Sequence, residues 1–346
     1  FMGFENIYNH KAIVKESANA RVNLIGEHTD YTGGYVMPTL LSFKNTIELS
    51  RNEEKTFIVF SEHFNEKKIF NDFIKSQNND WSDYIKGCLF IFFDEYKKIK
   101  LEHLNVHISS TIPLERGISS SSALCVSTLK ALNSYFNTQI SEKHIAMLAK
   151  KVEHDYIGVS GGIMDQMVSS IGIHGKAFFL DCLNLKYELI NFPSNWKFCL
   201  IDSEVQRNLR SSSYNNRFNE LKIAEKELDV EYLGGVELNK FDSDKISDPT
   251  VIKRARHVVS ENNRVLKAKE CLLKDDINQF GKLMIESHNS YSKDFEASTV
   301  DVDEIVERSF KCGALGARLT GGGFGGFTVS LIRKDKFSDW YKKINK

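Results

Sequence analysis

The chain has no net charge, no closely spaced cysteines and no long apolar run, and each of these absences argues against a class of protein. Its 346 residues include 46 Lys and Arg and 46 Asp and Glu. The chain as a whole therefore has no electrostatic attraction that would favour binding to nucleic acid or to an anionic membrane. None of the six cysteines lies in a C-x-x-C pair, and we interpret them as reduced thiols in apolar surroundings. No stretch reaches the roughly 18 apolar residues of a membrane span, and the first residues do not show the basic, then apolar, pattern of a leader. We expect a cytoplasmic protein that binds neither nucleic acid nor membrane.

Two common nucleotide-binding motifs are also missing. No G-x-x-x-x-G-K-[ST] occurs, which excludes a Walker A loop. Gly321, Gly323 and Gly326 match G-x-G-x-x-G formally, but an apolar strand follows where a dinucleotide site needs a helix and a later acidic residue. We interpret the glycines of this loop as positions where a ligand or another loop comes close to the backbone. No Cys or His cluster suggests a zinc site.

Hydrophobic periodicity predicts a mixed α and β protein, long enough for two domains or one large one. The predicted strands are 12–15, 22–25, 46–49, 56–60, 104–109, 176–181, 186–190 and 197–201, and a strand, a glycine loop and a strand occupy 316–331. The predicted helices are 80–98, 118–137, 141–156, a short one within 161–175, 211–228, 248–274, 277–290 and 302–312. The turn-rich F-P-S-N at 192–195 predicts domains 1–194 and 195–346.

The most informative stretch runs from Arg21 to Gly34 (R-V-N-L-I-G-E-H-T-D-Y-T-G-G), behind an apolar strand. Glu27 and Asp30 can accept hydrogen bonds from hydroxyls, and Arg21 can grip a carboxylate or phosphate through its planar fork. Two glycines at its end permit a backbone path that other residues resist. This set of residue types predicts a site for a small polyhydroxylated ligand next to an anionic ligand.

Residues 111–124 (T-I-P-L-E-R-G-I-S-S-S-S-A-L) place four consecutive serines at the start of a predicted helix. A helix N-terminus offers unpaired N–H groups and partial positive charge, while serine hydroxyls add donors and a possible metal ligand. The segment therefore predicts an anion cradle. A serine-rich helix cap without a ligand is the alternative.

Asp165 follows a glycine pair in G-G-I-M-D-Q at 161–166, and Glu153 lies on the preceding predicted helix. A carboxylate beside an arginine can orient or deprotonate a hydroxyl, and a second one can hold Mg²⁺ against phosphate oxygens. Taken alone, an acid in this position is more often a simple helix cap.

Together these motifs resemble those of the galactokinase family. The run from Arg21 to Pro38 is similar to the galactokinase signature, and 113–124 is similar to the phosphate-binding motif of the wider galacto-, homoserine, mevalonate and phosphomevalonate (GHMP) kinases. The stretch 316–328 resembles the third motif of that group. Further galactokinase-like matches lie at 81–87 (W-S-D-Y-I-K-G), 153–154 with 162–166, 202–214 and 287–290, in family order along essentially the whole chain.

The resemblance implies an α+β two-domain GHMP kinase, with an N-terminal domain like ribosomal protein S5 domain 2 and a ferredoxin-like C-terminal domain. It implies ATP-dependent phosphorylation of the anomeric hydroxyl of a sugar, with galactose preferred and an α-sugar 1-phosphate as product. A kinase for a related sugar, such as N-acetylgalactosamine or galacturonate, is an alternative, although Glu27 would repel an acidic sugar. A non-catalytic sugar sensor is a second class. The expected assembly is a monomer or weak homodimer.

The resemblance also assigns roles to single residues. It implies that Asp165 is the catalytic base or orienting group, and that Arg21 lies beside it and stabilises charge on the transferred phosphoryl group. Ser121 and Glu153 match the ligands of Mg²⁺. The implied sugar-binding residues are Glu27, His28, Asp30, Gly162 and Tyr214, and the implied ATP-binding residues are Trp81, Gly117, Ser119, Ser120, Ser121 and Ser122. Glu115 replaces a glycine usual in the family, and we expect its carboxylate to point away from the phosphates.

Overall fold

The structure is a computed structural model that describes residues 3–77, 80–113, 117–205 and 210–346. Its strands are β1 (Val14–Asn23), β2 (Tyr35–Val36), β3 (Pro38–Arg51), β4 (Phe57–Ser61), β5 (Glu66–Phe70), β6 (Leu104–Ser110), β7 (Lys176–Asp181), β8 (Lys186–Asn191), β9 (Trp196–Asp202), β10 (Gly316–Leu319) and β11 (Phe327–Arg333). Its helices are α1 (Phe4–Tyr8), α2 (Asp83–Glu95), α3 (Ser120–Phe136), α4 (Glu142–Lys151), α5 (Met164–Ile171), α6 (Arg210–Glu227), α7 (Pro249–Leu273), α8 (Ile277–Lys293), α9 (Val300–Lys311) and α10 (Phe337–Ile344). Within these ranges no helix is long and apolar enough to cross a membrane.

Most predicted elements are present, with shifted ends. The two predicted strands at 12–15 and 22–25 are one strand, β1, because the polar residues between them find partners on β3. The Ser17 hydroxyl lies 2.9 Å from that of Thr46, and the Asn19 side chain donates to the backbone oxygen of Leu41 at 2.9 Å. Polar residues in a sheet interrupt an apolar pattern without interrupting the strand.

The predicted helix at 141–156 is two structures in series. Ser141 caps α4 as expected, since its hydroxyl accepts a hydrogen bond from the N–H of His144 at 3.3 Å. A π-helical turn then runs from Val152 to Ile157 and ends at Gly158, whose φ is 88°. The wider turn bonds residues five apart, so a pattern with a period of 3.6 residues does not reveal it. Glu153 lies in this turn.

Of the helices and strands above, four are absent from the sequence-based prediction: α1, β2, β5 and α10. The first two have only five and two residues. β5 contains two lysines in five residues, and its strand form depends on antiparallel pairing with β4, from Ser61 opposite Glu66 to Phe57 opposite Phe70. α10 offers only eight residues, too few for periodicity to distinguish. Its buried side chains, Trp340 and Ile344, pack in a small separate cluster.

The packing of the chain defines two compact units, of which the first comprises Phe1–Arg21, Leu40–Leu114 and Ser119–Gly172. There β6 pairs antiparallel with β3 and parallel with β4, and β4 pairs with β5. Helices α2, α3 and α4 contribute to one hydrophobic core with these strands. Its large buried side chains include Ile47, Phe57, Phe92, Val106 and Leu129.

The second unit comprises Val22–Thr39, Glu115–Ile118 and Ile173–Lys346. The order β10-β11-β9 forms an antiparallel sheet, and β7 pairs antiparallel with β2 and β8. The predicted hairpin of β7 and β8 is therefore confirmed. A core rich in aromatic rings lies among α6, α7 and α8 and includes Tyr31, Tyr291 and Phe295. The expected boundary at 194/195 falls inside this unit, and the division into domains 1–194 and 195–346 stays a prediction.

Candidate active site

Arg21 and Asp165 form a bidentate ion pair in the first unit. Arg21, near the end of β1, donates from Nε to Oδ1 of Asp165 at 2.6 Å and from Nη2 to Oδ2 at 2.8 Å. Asp165 lies in the first turn of α5. The arginine side chain is 5% exposed and the carboxylate 25%. Two parallel charge-assisted bonds fix both groups in one plane, and the partly exposed carboxylate remains accessible to a ligand.

Glu153 lies beside the serines at the start of α3. Its carboxylate accepts hydrogen bonds from the hydroxyls of Ser121 at 2.6 Å and Ser122 at 2.7 Å, and another from the side-chain amide of Gln166. Burial raises the pKa of Glu153, while these hydrogen bonds oppose the rise. The structure therefore brings together the two predicted metal ligands, Ser121 and Glu153.

The donors at this point suit Mg²⁺. A hydroxyl and a carboxylate oxygen are hard ligands, and Mg²⁺ in phosphate-transfer sites is usually held by one or two carboxylates plus phosphate oxygens and water. The described residues contain no group of three or more His, Cys, Asp or Glu that could hold a metal ion on its own. The residues present thus fit an ion that a bound phosphate helps to hold.

The backbone before α3 is unusual. Ser119, at the N-cap position, has φ 62° and ψ 43°, a left-handed conformation that is uncommon outside glycine and that often marks functional sites. Gly117 also has a positive φ, 73°. The side-chain amide of Asn45 donates to the backbone oxygen of Ser120 at 3.0 Å and secures the helix start. Glu115 lies outside the described residues, so its orientation stays a prediction.

Trp81 and Gly162 are the other predicted site residues of the first unit. Trp81 lies just before α2, donates from its ring nitrogen to Oε2 of Glu66 at 2.8 Å and stacks on Phe64 with ring centroids 5.7 Å apart. Phe64 is exposed, whereas Trp81 is half-buried and packs against the hydrophobic core of the first unit. Gly162 is half-buried and lies two residues before α5.

Glu27 is a buried carboxylate of the second unit. Its Oε1 accepts hydrogen bonds from the N–H of Gly321 at 2.9 Å, from Nη1 of Arg318 at 3.1 Å and from the hydroxyl of Thr320 at 3.3 Å. Within the described ranges, Oε2 accepts none of the hydrogen bonds made to this side chain. The second oxygen is thus the one that can accept from a ligand hydroxyl.

His28 is held on both ring nitrogens. Nδ1 lies 2.6 Å from the hydroxyl of Tyr31, and Nε2 lies 3.1 Å from the hydroxyl of Tyr291. Its ring also packs against Phe295, with centroids 4.4 Å apart. The residue takes the left-handed conformation, with φ 61°. The tyrosines therefore fix the ring orientation of a strained residue.

Asp30 and Tyr214 lie near the same aromatic group. The ring of Tyr214 is 5.2 Å from that of His28 and 6.0 Å from that of Tyr31. Burial raises the pKa of Tyr31 well above its usual value, and the nearby Tyr214 and Asp30 add to the rise. Asp30 and Tyr214 are both half-buried. Four of the five predicted sugar-binding residues therefore belong to one unit.

A buried ionic network in the second unit was not predicted from the sequence. Glu261 on α7 accepts from the N–H of Gly26 at 2.9 Å, from the hydroxyl of Ser287 at 2.6 Å and from Nε of Arg264 at 2.6 Å. Burial by itself would raise the pKa of Glu261, but the charges of Arg264 and Arg318 outweigh it and lower that pKa to about 2. The only signal in the sequence is a charged residue, Arg318, between apolar neighbours of a short strand.

Three family models match successive parts of the chain. The galactokinase galactose-binding signature matches residues 2–51. The GHMP kinases N terminal domain matches residues 83–172, and the GHMP kinases C terminal model matches residues 268–345. The first two ranges include the Arg21–Asp165 pair and Glu153.

Known proteins are similar over nearly the whole chain. A galactokinase of Fusobacterium nucleatum is 36% identical over 357 residues, which cover 99% of this chain and 92% of the relative. A galactokinase of Pyrococcus furiosus is 38% identical over 319 residues, which cover 91% and 88%. The similarity therefore extends well beyond the short motifs.

Solved structures are also similar over nearly the whole chain. The crystal structure of Lactococcus lactis galactokinase complexed with galactose is similar with a TM-score of 0.93 and 33% identity, covering 99% of this chain and 91% of that one. A mevalonate kinase structure is similar with a TM-score of 0.72 at 22% identity, covering 96% and 95%. The second likeness concerns the fold alone.

The buried histidine His257 should make the stability of the protein depend on pH. It lies within hydrogen-bond distance of the Ser290 hydroxyl and of the backbone oxygen of Glu27, at 2.9 and 3.3 Å, and burial lowers its pKa from 6.5 to about 3. Below pH 6.5 the unfolded chain binds a proton that the folded chain does not. The free energy of unfolding should therefore fall with falling pH, by up to about 1.4 kcal/mol per pH unit for this group.

Urea unfolding at pH 7, 6 and 5 measures this loss. The His257→Gln variant should lose less stability over that range than the native protein does. His63→Gln, which changes an exposed histidine, should show the native dependence. Parallel pH profiles for the native protein and His257→Gln would contradict the assignment.

Proposed function

Since the chain belongs to the galactokinase family of the GHMP kinases, we propose that it transfers the γ-phosphoryl group of ATP to the anomeric hydroxyl of galactose, giving α-galactose 1-phosphate and ADP. Family membership confirms the expected sugar-kinase class and the two-domain GHMP kinase fold. The observation that carries the proposal is the bidentate Arg21–Asp165 pair. Phosphoryl transfer needs a positioned acceptor and charge stabilisation more than covalent chemistry, and this pair can supply both.

Asp165 is the residue that we propose acts on the acceptor hydroxyl. Each carboxylate oxygen has two acceptor positions, so an oxygen that accepts from Arg21 can still accept from the sugar. Asp165 orients the anomeric hydroxyl and takes its proton as the new oxygen–phosphorus bond forms and the bond to ADP breaks. Arg21 stabilises the negative charge on the transferred group.

ATP is proposed to bind through the segment from Gly117 to Ser122 and through Trp81. The N–H groups at the start of α3 and the hydroxyls of Ser119 and Ser120 suit phosphate oxygens. The hydroxyls of Ser121 and Ser122 donate to Glu153, and the tryptophan suits a base. Ser121 and Glu153 would hold Mg²⁺. When bound, the ion neutralises charge on the phosphates.

The sugar is proposed to contact Glu27, His28, Asp30, Gly162 and Tyr214. The open oxygen of Glu27 favours a substrate with a hydroxyl and disfavours a carboxylate at that position, which argues against galacturonate. A kinase for another neutral sugar, such as N-acetylgalactosamine, is the alternative within the class. A sugar sensor is less well supported because the Arg21–Asp165 pair and the Ser121–Glu153 contact are both formed. A cytoplasmic location and a monomer or weak homodimer stay predictions.

A panel of sugars tests the substrate. The protein with Mg-ATP should release ADP with the highest kcat/KM for galactose, well above N-acetylgalactosamine, galacturonate and glucose, because hydroxyl-specific hydrogen bonds discriminate strongly. A coupled ADP assay measures this. No sugar-dependent ADP release with any member would refute the kinase, and a higher value for another sugar would change the substrate.

The Asp165→Asn variant tests the catalytic group. It should lower kcat by roughly 10²- to 10⁴-fold because an amide neither accepts the proton nor pairs ionically with Arg21. ATP affinity, measured by calorimetry, should be nearly unchanged. Asp155→Asn is the control, since Asp155 is an exposed acid in the π-helical turn and should keep native turnover. Near-native turnover of Asp165→Asn would refute the role.

The Glu153→Gln variant tests the metal site. Glutamine keeps the size and most hydrogen bonds but loses the charge, so half-maximal activity should require roughly 10-fold or more Mg²⁺. A titration of activity against Mg²⁺ at saturating ATP measures the shift. Glu142→Gln, an exposed change on α4, should leave the titration as it is. A superimposable curve for Glu153→Gln would remove Glu153 from the metal site.

A further inference from the structure

Arg318 is a completely buried arginine on β10 whose contacts lead to the loop that carries Glu27. Its side chain is 0% exposed. Nη1 donates to Oε1 of Glu27 at 3.1 Å and to the backbone oxygens of Asn23 and Leu24 at 3.3 and 3.4 Å. One guanidinium therefore contacts both the end of β1 and the carboxylate that follows it.

We propose that Arg318 is a positioning residue for sugar specificity, which holds the Glu27 carboxylate so that Oε2 meets one defined hydroxyl of the sugar. The inference rests on the proposed function, in which Glu27 contacts the substrate. It goes beyond that function by assigning specificity to a residue that cannot itself touch a ligand, because it has no exposed surface.

The hydrogen bonds to Glu27 explain how the carboxylate is oriented. Gly321, Thr320 and Arg318 all donate to the same oxygen, Oε1. Donors that converge on one oxygen of a planar group restrict its rotation and leave the second oxygen for a partner. All three donors come from the end of β10 and the glycine loop that follows it.

Charge balance explains why Glu27 depends on Arg318. The buried groups are two acids, Glu27 and Glu261, and two arginines, Arg264 and Arg318, with Nη2 of Arg318 3.9 Å from Oε1 of Glu261. A buried carboxylate that loses its cationic partner is free to rotate toward water. That rotation would remove the hydrogen bond that Oε2 accepts from a sugar hydroxyl. Buried ion pairs contribute little net stability compared with apolar residues, so geometry is the better explanation for this one.

Ser287 fixes the orientation of Arg318. Its hydroxyl accepts from Nε of Arg318 at 3.1 Å and donates to Oε1 of Glu261 at 2.6 Å. Removing this hydroxyl would loosen the arginine while leaving every charge in place. Replacing Arg318 by lysine would keep the charge but lose the planar fork that contacts Glu27, the backbone and Ser287 at once.

The experiment compares galactose with its 2-, 3-, 4- and 6-deoxy analogues. Loss of one hydroxyl bonded to a charged group should cost the native enzyme roughly 10- to 100-fold in kcat/KM. Arg318→Lys and the milder Ser287→Ala should raise the KM for galactose and leave the KM for ATP within about twofold. In both variants, the ratio of kcat/KM for galactose to kcat/KM for one deoxy analogue should fall. That analogue should be the one for which the ratio also falls in Glu27→Gln.

Two controls separate positioning from general damage. Arg254→Lys changes another buried arginine, on α7, which contacts Glu220 and Glu296 and not Glu27; it should keep native selectivity even if the protein is less stable. In the double variant of Glu27→Gln with Arg318→Lys, the loss of selectivity should equal that of Glu27→Gln alone, because a residue that acts through another adds nothing once that other is gone.

The outcomes are distinct. Two results would overturn the role of Arg318 and leave the proposed kinase function unaffected. One is native selectivity in both Ser287→Ala and Arg318→Lys. The other is a double variant in which the selectivity losses of the two single variants multiply. If Arg318→Lys does not fold, Ser287→Ala decides by the same measurement. A native enzyme that phosphorylates no sugar would overturn the proposed function, and the inference with it.

Discussion

Hydrogen bonds to buried or half-buried carboxylates hold the proposed site residues of this protein in place. Asp165 accepts two hydrogen bonds from Arg21, from Nε and Nη2. Glu153 accepts from serines at the start of α3, and Glu27 accepts from donors on β10 and in the loop that follows it. A carboxylate removed from water must find donors or lose its charge. Each acid is therefore positioned by the donors that make its burial possible.

The kind of donor decides what each carboxylate can do. Neutral hydroxyls and an amide surround Glu153, and burial raises its pKa, so the site gains from an added cation. Two arginines lower the pKa of Glu261 to about 2 despite its burial, which suits a permanent structural charge. Asp165 combines a cationic partner with partial exposure, and that combination suits an acid that must meet a substrate.

Backbone strain occurs beside these carboxylates. His28 follows Glu27 directly and has φ 61°, and Ser119 precedes the serines that contact Glu153 and has φ 62°. Neither is a glycine, so the surrounding hydrogen bonds must compensate for an unfavourable conformation. For His28 the compensation is visible in the two tyrosine hydroxyls at its ring nitrogens.

The sequence by itself determined most helices and strands, because hydrophobic periodicity is a local property. It determined the family and the fold only through the resemblance of its ordered motifs to those of known kinases. The resemblance also predicted that Arg21 and Asp165 are neighbours, across 144 positions of the chain. Only the tertiary structure revealed that Glu153 lies in a π-helical turn, since a wider turn leaves no mark on a 3.6-residue pattern. Only it placed Arg318 against Glu27, 291 positions away. A buried arginine and an exposed one are the same letter in a sequence, and the difference between them lies entirely in what packs around them.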